Sequence, residues 1–437
     1  MPDMTRSLTI DRLSYGPAGV GRLEGKAVFV PETAPGDVVE IRIEEEKKGY
    51  ARGRVTALLS ASPVRRACPC PYVQRCGGCP WQHLTYEEQL RSKETLVQEQ
   101  LRRIGGFSDI PLLPILPSPQ EWRYRHRIRL HVEQNKRLGF SPPRSHAVVE
   151  IQDCLIAWEG VAEHLQLARE WVAAVRTPIV ELELAVSDKA VDNRKVGEAQ
   201  ATPNLVMIAE ALGPLHPADV QTSERFLAAH PQCAGLRMSG HEWRRTWGDT
   251  SLTLSSEDGV LTTRDGTFTQ VNPTANRVLT TTLLQLCAVH GEQRIVELYC
   301  GAGNLSVALA RGARELIGIE QNGVAVVAAQ ANAAHAGLMN TRFVQDSVLA
   351  GVQQLLQDKV RCDVLVLDPP RTGAAEVMDL LPQLGAATIT YVSCDPATLA
   401  RDLRRLHSHG YRLQAVQPLD MFPQTYHVET IAVSVLT

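Results

Sequence analysis

Apolar and polar positions divide the chain into three parts with different periodicities. Residues 7–59 alternate short β-prone runs with Gly and Pro turn signals, a spacing typical of a small barrel, and predict five strands. From about residue 290, buried β runs alternate with helical patterns, which indicates a parallel, doubly wound sheet. The stretch between them is mixed, with a helical pattern near residues 159–175. The sequence therefore predicts a Rossmann-like α/β domain, an N-terminal β-barrel and a mixed central domain.

Domain boundaries follow from these changes of pattern. We expect a barrel at residues 1–62, a central domain at 63–268 and an α/β domain at 269–437. A chain of 437 residues is too long for one hydrophobic core, which agrees with several domains. Within the central domain, Thr85–Gly106 predicts one helix, opened by an S/T-x-x-E capping box and ended by two glycines.

Composition and charge narrow the class of protein. The chain is 44% hydrophobic and 21% charged, as expected of a globular protein, and no apolar run reaches the roughly 18 residues that span a bilayer. Its start lacks the apolar core of a signal peptide, so we expect a cytoplasmic protein. Residues 1–155 carry 23 Lys and Arg against 18 Asp and Glu, a net charge of +5, and the remainder carries −8. A basic N-terminal part is compatible with nucleic-acid binding.

A glycine-rich turn marks a candidate nucleoside site. VELYCGAGNLSVALA reads as strand, turn and helix, and Glu320 closes the next strand 19 residues after Gly301, in position to bind ribose hydroxyls. Ser306 stands where the dinucleotide fingerprint has its third glycine, so a cofactor without a pyrophosphate fits better than NAD. Asp346 and Asp368 end later strands, where they would meet the adenine and the reacting end of the cofactor or substrate.

Cys394 is the strongest candidate nucleophile. It lies between a β-prone run and a helix that begins with Asp395 and Pro396, a good N-cap and a good first residue. The partial positive charge of a helix N-terminus favours a thiolate there. A lone cysteine is more often a small buried hydrophobe, but the nucleoside site upstream and Glu429 downstream favour methyl transfer through a covalent intermediate.

The segment LDPPR limits the atom that could be methylated. Enzymes that act on exocyclic amines carry (Asp/Asn)-Pro-Pro-aromatic, and here Arg371 replaces the aromatic residue. Enzymes that act on cytosine C5 in RNA usually have a second cysteine after the fourth strand, where this chain has Pro370. A carbon activated by one cysteine remains, which chemically suggests C5 of uracil.

Five motifs together make the chain resemble the RNA uracil-C5 methyltransferase family: TFTQVN, ELYCGAGN, LDPPRTG, YVSCDPATL and DMFPQTYHVE. Residues 16–55 also resemble the TRAM domain, an OB-like RNA-binding module, although a β domain that acts only as a spacer is an alternative. The resemblance implies that Cys394 is the nucleophile and Glu429 the base. The expected S-adenosylmethionine and target site comprises Gln270, Tyr299, Gly301, Gly303, Asn304, Glu320, Asp346 and Asp368.

Four cysteines form a candidate metal site. Cys70, Cys76 and Cys79 are spaced C-x5-C-x2-C, and Cys154 follows a later β segment. Three local thiolates and one distant thiolate can hold a cluster. Relatives with a TRAM domain and this spacing bind a four-iron four-sulfur cluster, so the resemblance implies one here, with structural zinc as the alternative. Cys68 could replace Cys70 as a ligand.

The segment WRYRHRIRLHV has a two-residue period. As a strand it would bury one face, with His126 as a core residue, and expose four arginines: Arg123, Arg125, Arg127 and Arg129. Such a row predicts phosphate contacts to RNA, and a solvated face with acidic partners is the alternative.

The expected substrate follows from the resemblance. Relatives that act on transfer RNA generally lack the TRAM and cysteine portions, so 23S ribosomal RNA is the expected partner and transfer RNA the alternative. We expect a monomer with no membrane association. A non-catalytic RNA-binding or assembly protein that keeps the fold is the competing hypothesis, and the intact Cys394 and Glu429 argue against it.

Overall fold

The N-terminal part is a closed five-stranded barrel. A computed structural model describes residues 5–143, 145, 147–188, 205–256, 259–264 and 267–437. The barrel strands are β1 (Arg6–Leu13), β2 (Ala18–Leu23), β3 (Lys26–Pro31), β4 (Val38–Glu46) and β5 (Tyr50–Ser60), joined in the order β1-β2-β3-β5-β4. Alternate residues such as Leu8, Ile10 and Val28 face the interior and are buried, as the two-residue period requires.

One long helix connects the barrel to the rest of the chain. Helix α1 (Tyr86–Gln100) starts at Thr85, whose side chain accepts a hydrogen bond from the Glu88 amide at 3.4 Å. The Glu88 carboxylate turns to Arg91 and Ser92 instead of to the Thr85 amide, so only half of the predicted capping box forms. The helix continues as a π-helical turn (Leu101–Gly105) and ends at Gly106, whose φ is 75°.

The central part contains a seven-stranded sheet with the strand order β12-β11-β10-β9-β6-β7-β8. Its strands are β6 (Arg127–Val132), β7 (Leu138–Phe140), β8 (Val149–Glu150), β9 (Ile179–Val186), β10 (Leu205–Ala211), β11 (Cys233–Ser239) and β12 (Arg244–Gly248). Among the residues described, it is accompanied by the helices α2 (Glu159–Ala162), α3 (Leu165–Ala174) and α4 (Pro217–Ala229). The single helix predicted near 159–175 is interrupted at His164, where φ and ψ are −94° and 4°. A separate hairpin follows, formed by β13 (Leu252–Ser256) and β14 (Gly259–Thr263).

The C-terminal part is a seven-stranded sheet with the order β17-β16-β15-β18-β19-β21-β20. Its strands are β15 (Arg294–Leu298), β16 (Glu315–Glu320), β17 (Thr341–Gln345), β18 (Val364–Leu367), β19 (Thr388–Ser393), β20 (Tyr411–Leu419) and β21 (Glu429–Leu436). The first five are parallel, and β21 runs antiparallel to β19 and β20. The helices are α5 (Pro273–Cys287), α6 (Ser306–Arg311), α7 (Gly323–His335), α8 (Val348–Gln357) and α9 (Pro396–Ser408), with a 3-10 turn at Leu381–Leu384.

The predicted fold class is confirmed by this architecture: a barrel, a mixed central part and a doubly wound α/β sheet. The strand order reverses at β15, which lies between β16 and β18. Ligands of such sheets bind outside the carboxyl ends of the strands at this reversal. The domain boundaries after residues 62 and 268 stay predictions. In the part of the chain described, no helix has both the length and the apolar character to cross a membrane.

Candidate active site

A cavity of about 870 Å³ opens at the carboxyl ends of β15, β16 and β18. Its volume suits a nucleoside-sized ligand together with a second group. Eight of the ten residues predicted for catalysis and cofactor binding line it: Gln270, Tyr299, Gly301, Asn304, Glu320, Asp368, Cys394 and Glu429. The structure therefore brings together residues that are up to 159 positions apart in the chain, between Gln270 and Glu429.

Two of the predicted cofactor residues are not in the cavity wall. Gly303 lies within the glycine-rich turn, and a Cβ atom there would meet the Ala329 Cα at 3.4 Å. Its φ of 84° explains the glycine, so it shapes the turn and its packing on α7. Asp346 accepts a hydrogen bond from the Ser347 amide at 2.7 Å, and Ser347 itself is in the wall.

The turn after β15 is held by Glu320. The Glu320 carboxylate accepts hydrogen bonds from the Gly301 amide at 3.1 Å and from the Asn322 amide at 2.8 Å. Tyr299 and Gly301 both have positive φ, 61° and 54°, a left-handed conformation that is costly for the tyrosine. These bonds fix the carboxylate at the edge of the cavity, where a ribose would approach. Asn304 is fixed likewise by a reciprocal amide pair with Asn276, at 2.7 and 3.0 Å.

Glu297 is a cavity residue that sequence reasoning missed. It is buried in β15, and burial raises the pKa of its carboxyl to about 8. The Ser306 hydroxyl donates a hydrogen bond to it. The available signal was Ser306 itself, since a hydroxyl in place of the third glycine of the fingerprint needs a partner when it is buried.

Cys394 lies between β19 and α9, as predicted, but its thiol is not an activated thiolate in the free protein. Asp395 caps α9 by accepting hydrogen bonds from the amides of Ala397 and Thr398, at 2.9 and 3.0 Å. Burial, followed by the charges of the Glu429 and Asp368 carboxylates, raises the pKa of the Cys394 thiol to about 12, while Arg371 opposes them. The helix N-terminus was expected to favour a thiolate, and in the folded site burial and the neighbouring carboxylates act in the opposite direction.

Two carboxyls of the cavity wall that act on Cys394, Asp368 and Glu429, are buried like the thiol. Burial raises the pKa of Asp368 to about 7, and burial together with the charge of Asp368 raises the pKa of Glu429 well above its ordinary value. Arg371 acts on both Cys394 and Glu429, lowering their pKa values. In the motif LDPPR, Arg371 was notable only as a replacement for an aromatic residue, and the effect of its charge on Cys394 and Glu429 follows from the folded site.

The predicted row of exposed arginines is wrong. Regular strand geometry begins only at Arg127, because Arg123 has a φ of 52° and interrupts the pattern. Arg123 pairs with Asp153 at 2.6 Å, and Arg127 donates to the Thr269 carbonyl at 2.7 Å. Arg125 turns into the cavity wall. Of the four, only Arg129 is largely exposed, with 65% of its side chain accessible, and it pairs with Glu183 at 3.3 Å.

His126 is a satisfied core residue, as predicted. It is fully buried, and its ring nitrogens lie 3.2 Å from the Val271 carbonyl and 3.2 Å from the Thr269 hydroxyl. Burial lowers its pKa to about 3, so the ring is neutral.

The four predicted metal ligands line one small pocket, with Cys70, Cys76, Cys79 and Cys154 in its wall. Cys68 is half-buried and is not part of that wall, which favours Cys70 as the fourth residue of the set. Burial raises the pKa of Cys79 to about 12 and that of Cys154 to about 11. Among the residues described, no group of three or more His, Cys, Asp or Glu side chains is arranged to hold one metal ion.

The doubly wound sheet, the glycine-rich turn and Glu320 at the strand-order reversal define an S-adenosylmethionine-dependent methyltransferase. Residues 244–435 match the family model described as tRNA (Uracil-5-)-methyltransferase, and residues 4–56 match the TRAM domain. The chain belongs to the RNA uracil-C5 methyltransferase family. The predicted family and enzyme class are thereby confirmed.

Relatives cover nearly the whole chain. An RNA methyltransferase of Gloeobacter violaceus is 33% identical over 98% of this chain and 96% of its own length. The 23S rRNA (uracil(1939)-C(5))-methyltransferase RlmD of Thiobacillus denitrificans is 35% identical over 95% of this chain and 96% of its own. A crystal structure of the Pyrococcus abyssi tRNA (uracil-54, C5)-methyltransferase with S-adenosyl-L-homocysteine superposes with a TM-score of 0.71 at 25% identity, covering 99% of this chain and 100% of that one.

Proposed function

We propose that this enzyme methylates C5 of a uridine in 23S ribosomal RNA through a covalent bond between Cys394 and C6 of the base. The observation that carries the proposal is the convergence of Cys394, Glu429 and Asp368 on the same cavity as the glycine-rich turn and Glu320. A nucleophile, a base and a nucleoside site in one enclosure are what a two-substrate methyl transfer to carbon requires.

The order of steps assigns a task to each residue. Cys394 releases its proton to water as the RNA binds, and its sulfur adds to C6, which places electron density on C5 and O4. C5 then takes the methyl group from the sulfonium, whose sulfur leaves as a thioether. Glu429 removes the remaining C5 proton, and the bond between sulfur and C6 breaks to restore the double bond. In folded RNA the uridine must leave its stack to reach this cavity.

The proton on Cys394 is the first obstacle, because the pKa of this thiol is about 12 in the free protein. Arg371 is the cation that lowers it. Binding of the uracil excludes water and adds a ring whose developing negative charge Arg371 can also stabilise, so we assign to Arg371 the task of favouring the thiolate and the enolate together.

Ribosomal RNA is favoured over transfer RNA by the relatives. The RlmD relative is named for 23S rRNA and is 35% identical, whereas the superposed Pyrococcus abyssi enzyme is named for tRNA and is 25% identical. Transfer RNA is therefore the second candidate. Retention of both Cys394 and Glu429 in the cavity wall argues against a purely binding or assembly role.

We also propose that Cys70, Cys76, Cys79 and Cys154 hold a four-iron four-sulfur cluster. Their common pocket supports a shared group. Four thiolates are ligands for a cluster and for structural zinc alike, and the spacing C-x5-C-x2-C with one distant cysteine is the reason for preferring the cluster, with zinc as the alternative. When bound, the cluster would cross-link the segment before α1, which carries three of the cysteines, to the segment after β8, which carries the fourth.

The test is a methyl-transfer assay with S-adenosylmethionine labelled in its methyl group. Unmodified transcripts of 23S ribosomal RNA domains and of transfer RNAs serve as parallel substrates, and mass spectrometry locates the product. We expect 5-methyluridine at a uridine of the ribosomal transcript. Label only in transfer RNA would select the second candidate, and no label in either RNA with a folded, RNA-binding protein would contradict an enzymatic role.

A further inference from the structure

The loop between β1 and β2 of the barrel reaches the nucleophile. Tyr15 in this loop donates a hydrogen bond from its hydroxyl to the backbone carbonyl oxygen of Cys394 at 3.1 Å, across 379 positions of sequence. The carbonyl belongs to the junction between β19 and α9, the segment that fixes the direction of the thiol. A barrel residue therefore contacts the backbone of the catalytic centre directly.

The loop is itself fixed. The Ser14 amide and hydroxyl both donate to the Ala18 carbonyl, at 2.9 and 2.7 Å. From the other side, the indole nitrogen of Trp81 donates to the Gly16 carbonyl at 3.2 Å, and Trp81 is completely buried. Because the loop is held at both edges, the Tyr15 hydroxyl is presented to Cys394 from a rigid support.

The same loop also contacts the segment that leads to the base. The Tyr15 ring packs edge-on against Tyr426, with centroids 5.7 Å apart. Tyr426 packs in turn on His427, with centroids 4.3 Å apart, two positions before Glu429. Both catalytic segments, the one with Cys394 and the one that ends in Glu429, thus meet at Tyr15.

The phenol is suited to a permanent donor role. Burial, followed by the charges of Asp395 and Cys394, raises the pKa of Tyr15 above its ordinary value. The hydroxyl therefore keeps its proton at neutral pH and can donate it to the carbonyl.

We propose that Tyr15 is a positioning residue for Cys394, so that the barrel takes part in catalysis as well as in RNA binding. The proposal rests on the proposed function, since it assigns Tyr15 to the same addition step. Without the hydroxyl, the β19–α9 junction is free to shift, and the sulfur leaves the line of attack on C6. Misplacement by about 1 Å can cost about a hundredfold in rate, so a smaller shift should cost about tenfold.

The experiment compares Tyr15→Phe, which removes only the hydroxyl, with Tyr50→Phe on β5 of the same barrel as the matched control. Three quantities are measured: the single-turnover methyl-transfer rate at saturating RNA, the dissociation constant for RNA, and amide hydrogen exchange of residues 392–400. We expect Tyr15→Phe to lower the rate about tenfold, to leave the dissociation constant unchanged and to speed exchange in that segment. Tyr50→Phe should change none of the three.

Two results would overturn the proposal: an unchanged rate, with or without weaker RNA binding, or faster exchange confined to the barrel. If Tyr15→Phe does not fold, Trp81→Phe releases the loop by removing the donor to Gly16, and the same three measurements apply. Amide exchange needs no substrate, so it tests Tyr15 even if the wild-type protein methylates another RNA atom. Absence of 5-methyluridine from the wild-type reaction would instead contradict the proposed function.

Discussion

At the scale of single residues, the groups that must act as nucleophile and base carry raised pKa values in the free protein. The Cys394 thiol has a pKa of about 12 and the Asp368 carboxyl a pKa of about 7, in both cases chiefly because of burial. The pKa of the Glu429 carboxyl is raised as well. A free enzyme with protonated groups avoids the cost of several buried negative charges, and RNA binding must shift them towards the reactive forms.

Glu429 should therefore destabilise the folded protein at alkaline pH. A carboxyl whose pKa is raised on folding contributes stability below its unfolded value, about 4.3, and this contribution is lost as the pH rises through the folded value. Glu429→Gln keeps the shape of the protonated acid and carries no charge. We expect its melting temperature to exceed that of the wild type at pH 8, with the difference shrinking towards pH 5, measured by differential scanning calorimetry. A melting temperature at pH 8 equal to or lower than that of the wild type would contradict a raised pKa of Glu429.

The local sequence was sufficient to predict the positions of some cavity residues and insufficient for others. Gly301 and Glu320 were predictable because 19 residues of strand, turn, helix and strand fix their relation. The roles of Arg371 and Glu297 depend on neighbours from other strands and were not predictable from the motifs. The arginine row failed because a two-residue period says nothing about a residue such as Arg123, whose positive φ breaks the strand.

At the scale of elements, the segment between β20 and β21 is held by helix α1. Lys93 of α1 is completely buried and donates to the Asp420 carboxylate at 2.6 Å and to the Phe422 carbonyl at 3.1 Å. Further along the segment, the backbone N–H of Gln424 donates a hydrogen bond to the side-chain oxygen of Gln89 in α1 at 2.8 Å. Helix α1 thus braces the segment that leads to Glu429.

Removal of one partner of this pair should be costly. Lys93→Met leaves the Asp420 charge buried without its cation, and loss of a buried partner costs about 3–5 kcal/mol. Urea unfolding followed by tryptophan fluorescence measures the change. As a control, Lys26→Met removes an ion pair of similar length, 2.6 Å, from the barrel surface, and should leave the unfolding midpoint almost unchanged. The double variant Lys93→Met with Asp420→Leu should recover part of the loss. A Lys93→Met midpoint equal to that of the wild type would show that the pair does not brace the segment.

Element types were more predictable than these contacts. The strands of the C-terminal sheet follow from their apolar runs, and α1 follows from Thr85 and the two terminal glycines. The Lys93–Asp420 pair joins positions 327 residues apart, and no periodicity within either element indicates it. Likewise, the break at His164 divides a continuous apolar pattern and is visible only in the folded backbone.

At the scale of the whole molecule, the segment before α1 contacts both the barrel and the C-terminal part. Trp81, two positions after Cys79, bonds to Gly16 of the barrel, and its own amide donates to the Gln424 carbonyl at 3.0 Å. The cysteine pocket thus adjoins the contacts that hold both the barrel loop and the segment before Glu429. A group bound there would stiffen the junction of all three parts.

The iron content of cysteine variants should show which cysteines are ligands of the cluster. We expect protein purified without oxygen to be brown, with about four irons per chain. Cys79→Ser should lose most of the iron and the visible absorbance, since Cys79 is in the pocket wall. Cys68→Ser is the matched control and should retain both, because Cys68 lies outside that wall. Elemental analysis and absorbance spectra check this. Colourless wild-type protein that contains zinc would contradict the cluster, and iron loss from Cys68→Ser would reverse the assignment of Cys70.

The central claim is that Cys394 forms a covalent bond that Glu429 resolves, and trapping of that bond tests it most directly. Each variant is incubated with substrate RNA and S-adenosylmethionine, and the products are separated by denaturing electrophoresis. Because the base acts after the nucleophile and after methyl transfer, Glu429→Gln should accumulate a methylated protein–RNA adduct, whereas Cys394→Ala should give neither adduct nor product. A stable adduct from Cys394→Ala, or none from a folded, RNA-binding Glu429→Gln protein, would contradict the account.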